Sequence, residues 1–437
     1  MIRFACACIL ALVAALPVRA AVDIQEVTSP GGIDAWLVES HEIPFVALEI
    51  RFQGGASLDA PGKRGAINLM TGLLEEGAGE MDARAFATAR DALAASFEFD
   101  VYNDALSVSA QFLTENRAAA VDLLRLALTE PRFDEDAVER VRAQVVSAIR
   151  SDAKDPDKIA SRTFNELAFG DHPYGTPVNG REEDVTALTR ADVIEAKSRV
   201  MARDRLFVSA VGDITAQELG VLLDDLLAGL PERGAPMPRK AEYRLSGGVT
   251  VVPFDTPQSV AVFGHEGIDR DDPDFFAAYV LNGVLGSGGF SSRLMEEVRE
   301  KRGLTYGVYS YLYPMDHAAL MLGQVASANN RVAEAIDVIR AEWASVAQEG
   351  ITQAELDAVK TYLTGAYPLR FDGNGPIANI MVGMQMQGQG VDYIATRNDR
   401  INAVTLSDIR RVAARLLDAD ALHFVVVGQP VGLETTN

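Results

Sequence analysis

Cysteine is almost missing from this chain: two in 437 residues, Cys6 and Cys8. A disulfide framework is thereby excluded, so stability must come from packed cores. Histidine is nearly as scarce. The five (His41, His172, His265, His317 and His423) are too far apart for any two to chelate a metal from one helix. Positive charge is short as well, 40 Lys and Arg against 62 Asp and Glu, a formal charge of -22. Phosphate neutralisation needs clustered cations, so neither a nucleic-acid ligand nor an anionic membrane is expected. Beyond the N-terminus no apolar run approaches the ~20 residues of a membrane span. Gly and Pro, 36 and 18, are too few for a collagen-like or low-complexity chain. What remains is 48% hydrophobic residues, enough for folded cores in a chain too long for one ordinary domain.

The first residues have their own pattern. Arg3 precedes an apolar run from Phe4 to Pro17, and Val18-Arg19-Ala20 gives a small-residue junction before Ala21. Residues 1–20 read as a secretory signal peptide, which implies a periplasmic or secreted protein. Both cysteines fall inside it, each ahead of most of the apolar run that a lipoprotein cysteine would follow.

The rest is duplicated. Leu188 to Gly212 and Val404 to Gly428 align at an offset of 216, with identities at Thr189/Thr405, Asp192/Asp408, Arg199/Arg415, Asp204/Asp420, Leu206/Leu422, Val211/Val427 and Gly212/Gly428. Each copy reads as a capping box, an amphipathic helix, a short turn and an apolar strand ending at Gly. Extended segments open each half, at 34–39 and 45–52 and again at 249–253 and 259–264. A hairpin is expected around Asn103-Asp104, and helices over 115–129, 134–150 and 156–168. A Pro-rich polar stretch, 231–241, reads as a linker. The expected architecture is α+β: a domain over 21–230 and a homologous one over 242–437, each a mostly antiparallel sheet with helices on one side.

Leu281 to Ser310, LNGVLGSGGFSSRLMEEVREKRGLTYGVYS, carries the most chemical information. A phosphate loop fails here, since no Gly-Lys-Ser/Thr follows and Ser291 stands where a third glycine is needed. The glycines read instead as a turn, capped by Ser291 or Ser292, into a helix over 293–301 that Gly303 ends. Tyr306 begins an extended segment. Arg299 and Tyr306 can then converge across the Gly303 turn, a fixed cation beside a phenolic donor, the equipment for steadying an oxyanion. An arginine at a helix C-terminus is also a dipole partner, and a strand tyrosine also packs.

This stretch resembles the C-terminal-half signature of the insulinase-type (pitrilysin) zinc peptidases: a Gly-rich turn, Ser-Arg-Leu, then Arg-Glu-Lys-Arg-Gly-Leu-x-Tyr. The resemblance implies that Arg299 and Tyr306 bind the scissile carbonyl and its tetrahedral oxyanion. It also implies a His-x-x-Glu-His zinc helix in the first half, where this chain has Asn68, Thr71 and Gly72 in place of His, Glu and His. At the third ligand, a Glu near 146–148, stand Ser147 and Ala148. An amide, a hydroxyl and a glycine neither bind zinc as imidazoles do nor take a proton from water. The nearby Glu75, Glu76 and Glu80 suit a surface helix end better than a catalytic zinc.

No cofactor is therefore expected in this chain. The pattern resembles the zinc-free subunit of two-chain members of the family, whose partner, of similar length, brings zinc and base. The implied substrates are unstructured peptides that add a strand to a sheet edge near the zinc. A catalytically inactive peptide-binding or scaffold homologue is the alternative. A self-contained hydrolase has no Gly-x-Ser-x-Gly elbow or usable His/Cys pair to support it.

Overall fold

The computed structural model describes residues 23–436; the signal peptide expected over 1–20 lies outside them. The first half builds a six-stranded sheet from β1 (Gln25–Thr28), β2 (Asp34–Glu39), β3 (Phe45–Gln53), β6 (Ser96–Val101), β7 (Ala105–Leu113) and β8 (Leu206–Gly212), in the order β1-β2-β8-β3-β7-β6. The short strands β4 (Gly77–Ala78) and β5 (Met81–Asp82) form a ribbon apart. The second half builds five strands, β9 (Gly248–Pro253), β10 (Gln258–Glu266), β11 (Thr305–Pro314), β12 (Ala319–Ala328) and β13 (His423–Gly428), in the order β11-β12-β10-β13-β9. Read from the other edge, the second order repeats the first strand for strand without β1. In each sheet one neighbouring pair is parallel, β2 with β8 and β9 with β13, and the rest are antiparallel.

Helices of the first half are α1 (Ala66–Thr71), α2 (Ala83–Ala92), α3 (Arg117–Thr129), α4 (Glu135–Asp152), α5 (Pro156–Phe169), α6 (Glu182–Ala187), α7 (Arg190–Val200) and α8 (Ala216–Leu227). Those of the second are α9 (Phe275–Asn282), α10 (Val332–Glu349), α11 (Gln353–Ala366), α12 (Asn374–Met386), α13 (Tyr393–Ala403) and α14 (Leu406–Leu416). None is long and apolar enough to cross a membrane among the described residues.

The duplicated segments fold alike. Thr189 and Thr405 each close a reciprocal capping box with the Asp three residues on, opening α7 and α14. The following strands end at Gly212 (φ 134°) and Gly428 (φ 153°). A Cβ at Gly212 would lie 2.1 Å from the Phe45 carbonyl oxygen, and one at Gly428 2.4 Å from Ser259 Oγ. Glycine is needed at both on steric grounds.

Most of each half's own helices lie on one face of its sheet. Along β3, Val46, Leu48, Ile50 and Phe52 enter that core, and along β10 Ala261 and Phe263 do so. The opposite face is not open. Helix α5 of the first half packs Phe164 and Ala168 against Val260, Val262, Val425 and Val427 of the second sheet. Helix α12 of the second half packs Ala378, Met381 and Met384 against Trp36, Ala47 and Val211 of the first. The reason is legible in the strands: β13 is apolar from Phe424 to Val427 and buried throughout, a run that one-sided packing would leave half wet. The two halves exchange helices and are one structural body.

Between α8 and β9 the chain forms no helix or strand, but it is tied down: Ala235 N donates to Arg199 O (2.8 Å), Ala241 N to His317 O (2.7 Å) and Arg244 N to Ala168 O (2.9 Å).

Candidate functional site

Val284 to Ser310 forms one continuous unit against the edge of the second sheet. The turn expected at the glycines is helical and irregular, running through 283–287 and 289–291 before the helix resumes at 293. Ser291 and Ser292 do not cap by accepting from the helix. Their hydroxyls donate back to Gly288 O (3.0 Å) and Gly289 O (3.1 Å), because the turn presents carbonyls rather than amides to them. Arg293 is clamped on Glu355 through Nε (2.7 Å) and Nη2 (3.0 Å). Gly286 must be glycine: a Cβ there would come within 2.6 Å of Ser310 N, on β11.

Arg299 and Tyr306 stand at the two ends of the following reversal. Gly303, at φ 58°, donates its N–H to Arg299 O (2.8 Å), and Leu304 N donates to Val298 O (2.9 Å). The Arg299 guanidinium reaches solvent and lies 3.2 Å from Glu300 Oε1. Tyr306 sits in a β-bulge: pairing with β12 skips from Thr305 to Val308. Thr305 Oγ1 locks the bulge, accepting from Gly307 N (3.0 Å) and lying 2.7 Å from Ala326 O. A bulge re-aims its side chains, and Tyr306 projects from this one at 88% exposure. Further along β11, Tyr309, Tyr311 and Tyr313 form a half-exposed row with ring centroids about 6 Å apart. Burial pushes the Tyr311 hydroxyl up to about 12, keeping it a donor at neutral pH.

The first half is held with equal care at the place of the zinc motif, and its donors do not fit a zinc ion. Asp59 caps α1 from outside, accepting from Gly65 N (2.9 Å) and Ile67 N (2.8 Å). Burial pushes its carboxyl up to about 6 despite Arg64, whose Nη1 is 3.5 Å away. Thr71 Oγ1 donates to Ile67 O at 2.8 Å, Gly72 ends the helix, and Ser147 and Ala148 are exposed on α4. Glu75 and Glu76 are bound by Arg90 and Arg140. Four histidines bond elsewhere: His41 to Asp213, His172 to Arg239 O, His265 between Glu266 O and Trp343, and His423 between Gly247 O and Thr250. His317 is different, with its Nε2 buried and unbonded. Among the described residues no group of three or more His, Cys, Asp or Glu is placed to hold a metal ion.

One arrangement had no signal in the sequence. A cavity of ≈ 520 Å³ lies between α9, α11, α12 and β11, with Arg270, Arg370 and Arg397 in its lining. These arginines are 27 to 127 residues apart in the chain, and no motif joins them.

The fold defines the class: a duplicated α+β body whose two halves exchange helices. Residues 35–182 match the profile of the insulinase family (peptidase family M16), and residues 187–363 match the M16 inactive domain. The chain belongs to the insulinase family, M16. Among its relatives, a Helicobacter pylori protein named as a non-peptidase homolog, YmxG, is 26% identical over 89% of this chain and 90% of its own. A Mycobacterium leprae protein named as an uncharacterized zinc protease is 28% identical over 90% of this chain and 88% of its own. A solved structure from Pseudomonas fluorescens, described as a peptidase M16 inactive domain, is 26% identical with a TM-score of 0.88, covering 95% of this chain and all of that one.

Proposed function

We propose that this chain is the zinc-free subunit of a two-chain M16 peptidase of the periplasm, its partner a zinc-bearing chain of similar length and its substrates unstructured peptides. The observation that carries this reading is the asymmetry between the halves. The metal-ligand positions hold Asn68, Thr71 and Gly72, with Thr71 spent on its own helix, while Arg299 and Tyr306 keep their places on a glycine-fixed reversal. In this reading the Tyr306 hydroxyl donates to the scissile carbonyl oxygen, and the Arg299 guanidinium adds positive charge as that oxygen becomes an oxyanion. The 88% exposure of Tyr306 supports a role facing another surface, since a strand tyrosine kept for packing would be covered. Donors of this kind are worth ~10²-fold or more in turnover. Tyr306→Phe, combined with the partner, should lose at least about 10²-fold in kcat with a smaller change in KM. Unchanged turnover would refute the role.

A second reading is favoured by the name of one relative, a non-peptidase homolog: a peptide-binding or scaffold protein whose Arg299 and Tyr306 are unused. Replacing both by Ala would then leave any partner's turnover unaltered.

A further inference from the structure

The ≈ 520 Å³ cavity beside β11 is where this acidic chain leaves positive charge unneutralised. Its lining includes Arg270, Arg370 and Arg397 and no aspartate or glutamate, although the chain carries 62 of them. Arg397 is 6% exposed. Its guanidinium donates to Leu363 O (3.3 Å), Asn398 Oδ1 (3.1 Å) and Tyr279 OH (3.2 Å) and stacks at 4.1 Å over the Tyr367 ring, all neutral partners. Arg270, half-buried, lies 4.8 Å over the Phe275 ring and forms no hydrogen bond or ion pair with a described residue. Burial draws its guanidinium below the ordinary range. Of the nearby acids, Asp274 is held by Arg411 (2.6 Å) and Arg415 (3.3 Å) and Asp272 by Arg415 (2.8 Å), on a neighbouring cleft that Arg270 also lines; Asp271 is exposed there and forms no ion pair with Arg270. A desolvated cation without an anion is costly, and a bound anion removes that cost.

The walls narrow the choice of anion. Tyr279, Tyr367, Tyr393 and Phe276 line the cavity with aromatic surface, suited to a flat or bulky apolar group. Tyr311 and Leu312, adjacent on β11 and so pointing to opposite faces, both line it, which puts the cavity against the outer edge of that strand. Tyr311 is five residues beyond Tyr306, about 17 Å of extended chain. One short peptide can therefore reach both.

The geometry points to a binding site for the free α-carboxylate of a peptide whose last side chain is aromatic or large and apolar, the carboxylate meeting Arg270 and Arg397 and the side chain the tyrosine wall. This extends the peptide reading above and rests on it for the kind of ligand, but its test needs neither partner nor turnover.

The experiment is an anisotropy titration of the purified chain with an N-terminally labelled pentapeptide ending in Phe, as free acid and as C-terminal amide, and with the Ala-terminated acid. The Phe acid should bind saturably, and amidation or the Ala terminus should weaken it about tenfold or more, the loss of a charge-assisted bond or of the wall contact. Arg270→Gln should weaken the acid by the same factor and leave the amide unchanged, since Arg270 forms no hydrogen bond or ion pair with a described residue. Arg370→Gln, at an exposed lining position, should weaken the acid severalfold and carries the test if the first variant melts early. Equal binding of acid and amide, absence of saturable binding, or displacement of the acid by inorganic phosphate at lower concentration than by unlabelled acid would overturn the assignment. Failure here while the mixed chains still cleave peptides sinks the pocket alone; saturable acid binding with inactive mixed chains sinks only the proposed peptidase role.

Discussion

Phe164→Ala tests whether the exchange of helices makes the two halves one cooperative body. Phe164 lies on α5, in the first half, and is 1% exposed; its contacts are with the second half's sheet, in the cluster holding Val260, Val262, Val425 and Val427. Removing a buried phenyl costs about 3–5 kcal/mol, and each kcal/mol shifts the melting point of one cooperative body of roughly 400 residues by about 1–2 °C. The expected fall is about 3–10 °C. The chain supplies its own reporters, because its two tryptophans fall one in each half, Trp36 and Trp343. Trp343 is fully buried in the second core, its Nε1 donating to His265 at 3.0 Å. In a Trp36→Phe background, fluorescence melting reads the second half alone. Phe164→Ala, a change in the first half, should lower that transition by the amount above and keep it coincident with the loss of far-UV signal. A Trp343 transition left at its original temperature would refute the coupling.

Three further outcomes follow from local geometry. Gly212→Ala should destabilise more than Gly428→Ala, since the new methyl meets a backbone carbonyl in the first case and a side-chain oxygen nearest in the second; both should cost at least about 1 kcal/mol in urea titrations. Asp59, raised by burial to about 6 in the folded protein against ~3.9 unfolded, favours folding when protonated. Its contribution is complete below about pH 4 and is lost as pH rises through about 6, up to roughly 3 kcal/mol. Wild type minus Asp59→Asn should show that loss between pH 4 and 7, and a difference that is flat or rises with pH contradicts it. Thr405→Ala, which breaks the box opening α14, should cost about 1 kcal/mol, and Thr189→Ala, in the matching box on α7, a similar amount; a cost below experimental error at both would count against the caps.

The duplication was readable from seven identities because those residues do local work that recurs: a cap, a helix face and a strand-ending glycine with left-handed backbone. The hairpin at Asn103-Asp104 was readable because its alternation and turn are local too. Helix exchange was not readable. An amphipathic helix such as α5 shows that it buries one face, but its sequence does not say against which sheet. The loss of the metal set was legible residue by residue at Asn68, Thr71 and Gly72. The bulge that exposes Tyr306 and the arginine cavity were hidden, since both depend on contacts between segments far apart in the chain.

The central claim is that this polypeptide brings the groups that hold the carbonyl and that its partner brings the metal and base. The most direct measurement is zinc content and peptide hydrolysis of the purified chain, alone and mixed with an M16 chain that carries an intact His-x-x-Glu-His motif. The account predicts substoichiometric zinc and no hydrolysis for this chain alone, and hydrolysis by the mixture that falls about 10²-fold with Tyr306→Phe. Stoichiometric zinc and robust cleavage by the isolated chain would contradict it.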